Sequence, residues 1–393
     1  MPPMGIVGQA EETISVFPSP LDDPRVFFGL VVLLSVLGGA VLVYRYLRRS
    51  PGERFARTLE PLDSVAVLMH SNPDPDAMSC AIAARVIAES RGADATIYYP
   101  GQIRHHENRA FETVLDVEFE RIDRADQIDE EELVLVDHNR PRDFPGSDAL
   151  DPIAVVDHHP GSGTGTDFTD IRPDTGACAS IFSQYFEQLG WTPTDRDTAD
   201  VADLNGEGLL SSDVVTGLIY GIQSDTKNLT SGCTRADFDA VRYLYPGIDE
   251  GKLNRIANPD MDAESLDVKA RAITQRDVRS SFAVSDVGEV SNLDAIPQAA
   301  DELRRLEGIN AVVVLGDKDG EIRLSGRSTD DRVHMGKVLG AVVEDIPMAG
   351  AGGHARMGGG RILIEHMNGI GPGEGVTREE LTDRFFDAMS GEL

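Results

Sequence analysis

The feature that most constrains this chain is a series of short β-branched and aliphatic runs with little polar alternation. They are SVAVLMH (64–70), ATIYY (95–99), ELVLVD (132–137) and IAVVD (153–157). Runs of this kind suit strands buried on both faces of a parallel sheet. Between the first two, AMSCAIAARVIAES (77–90) has the length and period of a helix. Such alternation predicts an α/β domain. From about Ser281 a smaller mixed α/β unit is expected: the helix-like AIPQAADELRRLEG, the strand NAVVVLG (310–316), the turn signal DKDG and the strand EIRLSGRS (321–328). A glycine-rich loop running into a strand, GAGGHARMGGGRILIE (350–365), follows a further helical stretch. The charged stretch from Asp260 to Arg279 has helical character and few core residues, so a connector over 256–280 is expected between domains at 59–255 and 281–393.

Ahead of these units, Val26 to Tyr44 carries no charge, enough for a helix at about 1.5 Å per residue to cross a hydrocarbon core. Five arginines (45, 48, 49, 54 and 57) follow it, and Glu11, Glu12, Asp22 and Asp23 precede it. A cleaved signal peptide would carry its basic residues first. The expectation is therefore a single-pass membrane protein: residues 1–25 outside, a transmembrane helix over 26–47, a polar linker over 48–58, and the large C-terminal part cytoplasmic.

Charge narrows the partners. The chain has 67 acidic and 36 basic residues, a formal net charge of -31, and only five lysines among its 393 residues. The acids are spread between apolar runs rather than gathered in a tail, as suits a protein kept soluble at high salt, and a halophilic source is expected. A surface this negative is a poor landing site for a long polyanion, whose binding depends on basic phosphate contacts. Cys80, Cys178 and Cys233 are far apart in sequence, with neither a disulfide framework nor zinc-type spacing.

The acids themselves are arranged. His70, Asp74 and Asp76 lie in HSNPDPDA (70–77), directly after the first run. Asp137 ends a run in LVDHN, Asp157, His158 and His159 end another in VVDHHPG, and Asp225 closes LIYGIQSDT (218–226). Ligands of open parallel sheets bind outside the carboxyl ends of the strands, so four runs are expected to converge their acids on one rim. Any one such aspartate is explained as a cap or turn former; the whole set is not. So many carboxylates together would repel one another and raise their pKa values, a cost that two divalent cations remove. Mixed carboxylate and imidazole ligands suit Mn²⁺, with Mg²⁺, Co²⁺ or Zn²⁺ allowed by ligand type. Two such ions, roughly 3.5–4 Å apart, activate water and neutralise a phosphoryl group under in-line attack.

In order, HSNPDPDA, LVDHN, VVDHHPG and GIQSDT resemble the four motifs of the DHH phosphoesterases. GRS (326–328) and GAGGHARMGGG (350–360) resemble the DHH-associated C-terminal domain. The resemblance spans roughly residues 60 to 370 and implies two packed α/β domains with a manganese site in the cleft between them. It implies that His70, Asp74 and Asp137 hold one metal, and that Asp76, the shared Asp137, His158 and Asp225 hold the other. His159 would face the phosphate, and Asp157 would orient a histidine. Arg327 and Ser328 would contact phosphate, with Gly352, Gly353 and His354 on the glycine loop. Two positions depart from the pattern. Pro75 stands where many relatives have glycine, and GGHARMGGG replaces the commoner GGHxxAAG form.

The expected activity is hydrolysis of cyclic or linear dinucleotides, short oligoribonucleotides or 3′-phosphoadenosine phosphate with two divalent ions, most readily Mn²⁺. The expected partners are that small nucleotide and the membrane, with a homodimer left open. The alternatives are a non-catalytic nucleotide sensor tethered at the membrane and a single-strand exonuclease. The filled ligand positions argue against the first, and the lack of a basic module argues against the second. His105, His106, Asn108 and Arg109 are as well explained by a polar surface as by a substrate role.

Overall fold

The structure, a computed structural model, describes residues 49–103, 106–197, 208–367 and 375–392, with seven positions between 25 and 36. It separates into two compact units. Among the described residues, one comprises Asp76–Pro100 and Phe119–Ile248 with the chain up to Ser71; the other comprises the chain from Asp249 with Asn72–Pro75 and Gly101–Glu118.

The first unit is built on strands β1 (Ser64–Leu68), β2 (Asp94–Pro100), β3 (Glu120–Ile122), β4 (Leu133–Val136), β5 (Ala154–Asp157) and β6 (Phe168–Ile171). They form one sheet in the order β3-β2-β1-β4-β5-β6, parallel throughout. β4 and β5 are buried at every position, which is why their sequences lack polar alternation. The chain leaves β1 toward β2 on one side, and β4 lies on the other side, so the strand order reverses at the β1–β4 boundary. That boundary is the topological switch point where open α/β sheets bind ligands.

Around this sheet lie α1 (Pro51–Leu59), α2 (Pro75–Glu89), α4 (Cys178–Gln188), α5 (Ser212–Asp225) and α6 (Arg235–Leu244); α3 (His106–Leu115) falls in the second unit. The expected polar linker over 48–58 is largely α1. Ser50 and Glu53 form a reciprocal capping box at its start, and Phe55, Ala56 and Leu59 are buried. The Phe55 ring packs edge-on against Phe168 and Phe182.

The second unit adds α7 (Glu250–Ala257), α8 (Ala263–Thr274), β7 (Asp277–Arg279), β8 (Phe282–Glu289), α9 (Ala295–Leu303), β9 (Ala311–Lys318), β10 (Glu321–Ser328), α10 (Met335–Val343), β11 (Gly350–Gly353), β12 (Met357–Leu363) and α11 (Arg378–Ser390). Its sheet is mixed, in the order β11-β12-β10-β9-β8-β7, with only β8 and β9 parallel. Alternate residues of β9 face opposite layers. Val313 and Leu315 share a core with α10 and α11, and Val312 and Val314 share one with α8 and α9. Val268 and Ala272 of α8 are buried in the latter, so the helix inside the expected connector packs as part of this unit.

The expectation of a single-pass membrane protein is overturned: among the described residues, no helix is long and apolar enough to cross a membrane. Most of 26–47, on which that expectation rested, lies outside the described residues, as does the N-terminal segment 1–24. An uncharged stretch of sufficient length is a requirement for spanning, not a demonstration of it.

Candidate metal centre

The sheet puts the acids where its topology leads. Asp137 follows β4 directly, its amide donating to the Val156 carbonyl of β5 at 2.9 Å. Its φ of 61° is left-handed, a conformation that aspartate tolerates better than most residues. His70 follows β1, across the switch point, and its Nε2 lies 3.5 Å from Asp137 Oδ2. Asp74 sits in the loop between β1 and α2, and Asp76 in the first turn of α2. His158 follows β5. Asp225, which closes the apolar run 218–226, ends the 14-residue helix α5.

These residues assemble into three overlapping groups, each with ligand atoms within 4.8 Å of one another: His70, Asp74 and Asp137; Asp76, His158 and Asp225; and Asp137, His158 and His159. Asp137 belongs to two of them. His158 Nε2 stands 3.3 Å from Asp225 Oδ2, 3.4 Å from Asp137 Oδ1 and 3.8 Å from Asp76 Oδ2. Its Nδ1 lies 3.2 Å from the Thr175 carbonyl, which can only accept, so Nδ1 carries the proton. In the neutral ring the Nε2 lone pair then faces three carboxylates, with no hydrogen bond of its own. His70 is set similarly, with Nδ1 3.1 Å from the Ser71 carbonyl. Such an arrangement is repulsive unless a cation lies at its centre. Burial disfavours a charged His158, yet the Asp225, Asp76 and Asp137 carboxylates push its pKa up to about 10, so a proton fills that role when no metal does. A donor set of this kind fits divalent cations.

The surroundings hold these side chains in place. Asp76 lies against the N-terminus of α4, accepting from the Cys178 amide at 2.6 Å and the Ala179 amide at 2.8 Å. Asp157 is fully buried; its Oδ1 accepts from the His159 ring at 2.9 Å and the His159 amide at 3.0 Å. Burial works against its charge, but these bonds and one from Asn139 hold its carboxyl below the usual range. The bond to Asp157 pulls His159 up. Cys80 and Cys178 are buried nearby. Burial pushes Cys178 up to about 12 and Cys80 well above its ordinary value, so both are held as thiols in the metal-free fold.

Sequence reasoning gave a supporting role to none of three residues, and weighed Asn108 only as polar surface or substrate contact. Asn108, at 6% exposure, donates from Nδ2 to the Pro73 carbonyl at 2.9 Å and so fastens the loop that carries Asp74. His138 is buried with Nδ1 2.9 Å from the Val136 carbonyl, and Asn139 donates to Asp157 Oδ2 at 2.8 Å. Their only signal was their place in LVDHN and HENRA. His105 lies outside the described residues.

In the second unit, Arg327 is buried with its guanidinium clasped by Asp301 of α9, Nε to Oδ1 at 2.8 Å and Nη2 to Oδ2 at 3.2 Å. Ser328 is fully buried, and its hydroxyl donates to the Asp330 carbonyl at 3.0 Å. A phosphate contact by Arg327 would thus have to displace or share Asp301. The expected glycine loop is the β11–β12 hairpin, with His354 exposed just beyond β11. The His354 and Ala355 carbonyls accept from Gly336 and Met335 at the start of α10. A side chain at Gly336 would collide with the Gly353 backbone, and one at Gly353 with the Met357 and Gly358 backbone of β12, so helix packing requires the first glycine and strand pairing the second. Gly352 has open space around its Cβ position.

Comparison with known proteins agrees with this organisation. The chain is 32% identical over 313 residues to an uncharacterized protein of Methanocaldococcus jannaschii, covering 79% of this chain and 60% of that one. It is 26% identical over 339 residues to the cyclic-di-AMP phosphodiesterase GdpP of Geobacillus thermodenitrificans, covering 82% of this chain and 48% of the other. The chain thus spans about half the length of these curated relatives. An exopolyphosphatase-related protein from Bacteroides fragilis shares the fold, with a TM-score of 0.56 at 13% identity over 86% of this chain and 95% of that one. The model of the DHH family N-terminal domain matches residues 64–221, and that of the DHHA1 domain matches residues 279–369. The chain belongs to the DHH family and carries a DHHA1 domain after its DHH domain.

Proposed function

We propose that this protein is a metal-dependent phosphodiesterase that hydrolyses short nucleotides, with dinucleotides as the preferred class. The observation that carries the reading is His158 Nε2, buried and turned toward three carboxylates while Nδ1 is committed to a carbonyl. His70, Asp74 and Asp137 would hold one divalent ion; Asp76, Asp137, His158 and Asp225 would hold the other. Ions bound there supply Lewis acidity toward a phosphoryl oxygen and lower the pKa of water. Asp137 would serve both ions. His159 keeps Nδ1–H on Asp157, which leaves Nε2 to meet the phosphate or pass a proton. The family and the cyclic-di-AMP phosphodiesterase likeness support a nucleotide substrate. Manganese is proposed as the working ion, and His354 of the DHHA1 domain as a contact for substrate.

A surface of net charge -31 has few means of gripping a long strand. Turnover is expected to fall steeply beyond about five nucleotides, a figure from counting phosphate contacts. The test is a panel in Mn²⁺ buffer at fixed high salt: cyclic di-AMP, its linear form, 3′-phosphoadenosine phosphate, and RNAs of increasing length. The proposal expects the highest kcat/KM on a dinucleotide. Equal efficiency on the shortest and longest RNAs would replace it with a processive exonuclease.

A further inference from the structure

Asn139 lies two residues beyond Asp137, is 6% exposed, and reaches across to the next strand end. Its amide group meets Asp157 Oδ2 at 2.8 Å. The group facing that oxygen is Nδ2, which donates to it, and the orientation of the amide is fixed. Asp157 is thereby held on both oxygens: Oδ2 by Asn139, Oδ1 by the ring and amide of His159. Without the Asn139 bond, one oxygen of a fully buried carboxylate loses this donor, and the side chain is freer to turn about its Cβ–Cγ bond. Among the described residues, the His159 ring, itself about half exposed, has Oδ1 of Asp157 at 2.9 Å from Nδ1 as its hydrogen-bond partner there, with Asp137 Oδ1 farther off at 3.7 Å, so its tautomer depends on the Asp157 carboxylate staying in place.

A second set of contacts bears on the same residue. Past His159 the chain runs through Pro160, Gly161, Ser162 and Gly163. A methyl group at Gly161 would collide with the Asn139 side chain, and one at Gly163 with the Asn139 backbone carbonyl. The segment leaving His159 therefore rests on Asn139 at two points where only glycine fits. One asparagine touches both the partner of the His159 ring and the chain that follows it.

We propose that Asn139 is a positioning residue that, through Asp157, sets the tautomer and orientation of His159. Its kinetic consequence rests on the phosphoesterase reading above; its geometric consequence does not. Asn139→Leu keeps the volume beneath the glycines and removes the donor without adding charge. Exchanging the pair, Asn139→Asp with Asp157→Asn, reverses the bond and still leaves an amide oxygen to accept from His159.

The experiment uses the full chain labelled with ¹⁵N at histidine, in alkaline buffer where the imidazole is neutral, together with kinetics and metal content. In the wild type, His159 is expected as the Nδ1–H tautomer. In Asn139→Leu it becomes a mixture of tautomers, while kcat falls about tenfold or more, KM stays within about twofold, and metal content is unchanged. The exchanged pair restores the Nδ1–H tautomer and most of kcat. A single Nδ1–H tautomer in Asn139→Leu would overturn the proposal, because a residue that only fills space leaves the ring alone. Should Asn139→Leu not fold, the exchanged pair decides: the restored tautomer supports the proposal and a mixture overturns it. If the wild type hydrolyses none of the phosphoesters, the functional reading fails, and the tautomer comparison still tests this one.

Discussion

Asp137 and His158 show how much a single residue's surroundings decide. Both were legible as ligand candidates, because acids at the ends of apolar runs are expected at the rim of a parallel sheet. What could not be read was their support, since a hydrogen bond such as that from Asn139 to Asp157 joins residues 18 apart in sequence and depends on strand register. His138 is a similar case. Burial lowers its pKa to about 4, against a contrary pull from the Val136 carbonyl and with added repulsion from His70. Between pH 6.5, the ordinary value, and about 4, the unfolded chain takes up a proton that the folded one refuses, so stability falls as the pH is lowered through that window. At 1.36 kcal/mol per unit, the loss comes to about 3 kcal/mol. Urea unfolding of the chelated protein at neutral and acid pH should show it, and His138→Gln should lose that part of the slope. Equal slopes in the two proteins would mean that His138 is protonated in the fold.

At the scale of elements, strands were more legible than helices. A run such as LVLV is buried on both faces and advertises itself by lacking polar residues. Helix α1 hid inside an arginine-rich stretch, because its capping box and three apolar positions occupy only ten residues, Ser50 to Leu59. Helix α5 was obscured because a helix buried on most sides has the same continuous apolar sequence as a strand. Helix α4 contributes something its own sequence does not reveal, since its first amides bind Asp76. Two charge-assisted bonds at a helix N-terminus stabilise the carboxylate and the helix together. If Asp76 served only as a metal ligand, its removal would relieve repulsion and stabilise the chelated protein. Asp76→Ala is instead expected to destabilise it by about 1–2 kcal/mol, the usual worth of a helix cap. Urea unfolding under chelation reads the sign, and a gain in stability would refute the capping role.

At the scale of the whole molecule, a parallel-sheet domain was expected from continuous apolar runs and a smaller mixed α/β domain from strands about a turn signal, and the structure has a six-stranded sheet in each. Position within the fold was less accessible. The charged 260–279 stretch looked like a connector because its surface residues outnumber its buried ones, yet Val268 and Ala272 suffice to dock α8. The acidic and histidine cluster could hold metal ions, and the central claim of the proposal is that two metal ions share Asp137. Electron paramagnetic resonance of the Mn²⁺-loaded protein tests this most directly, because two ions bridged by one carboxylate are exchange-coupled and isolated ions are not. The account predicts a coupled spectrum at two ions per chain, replaced in Asp137→Asn by the six-line signal of isolated Mn²⁺ with loss of turnover. An uncoupled spectrum in the wild type, or an unchanged coupled spectrum in Asp137→Asn, would contradict it.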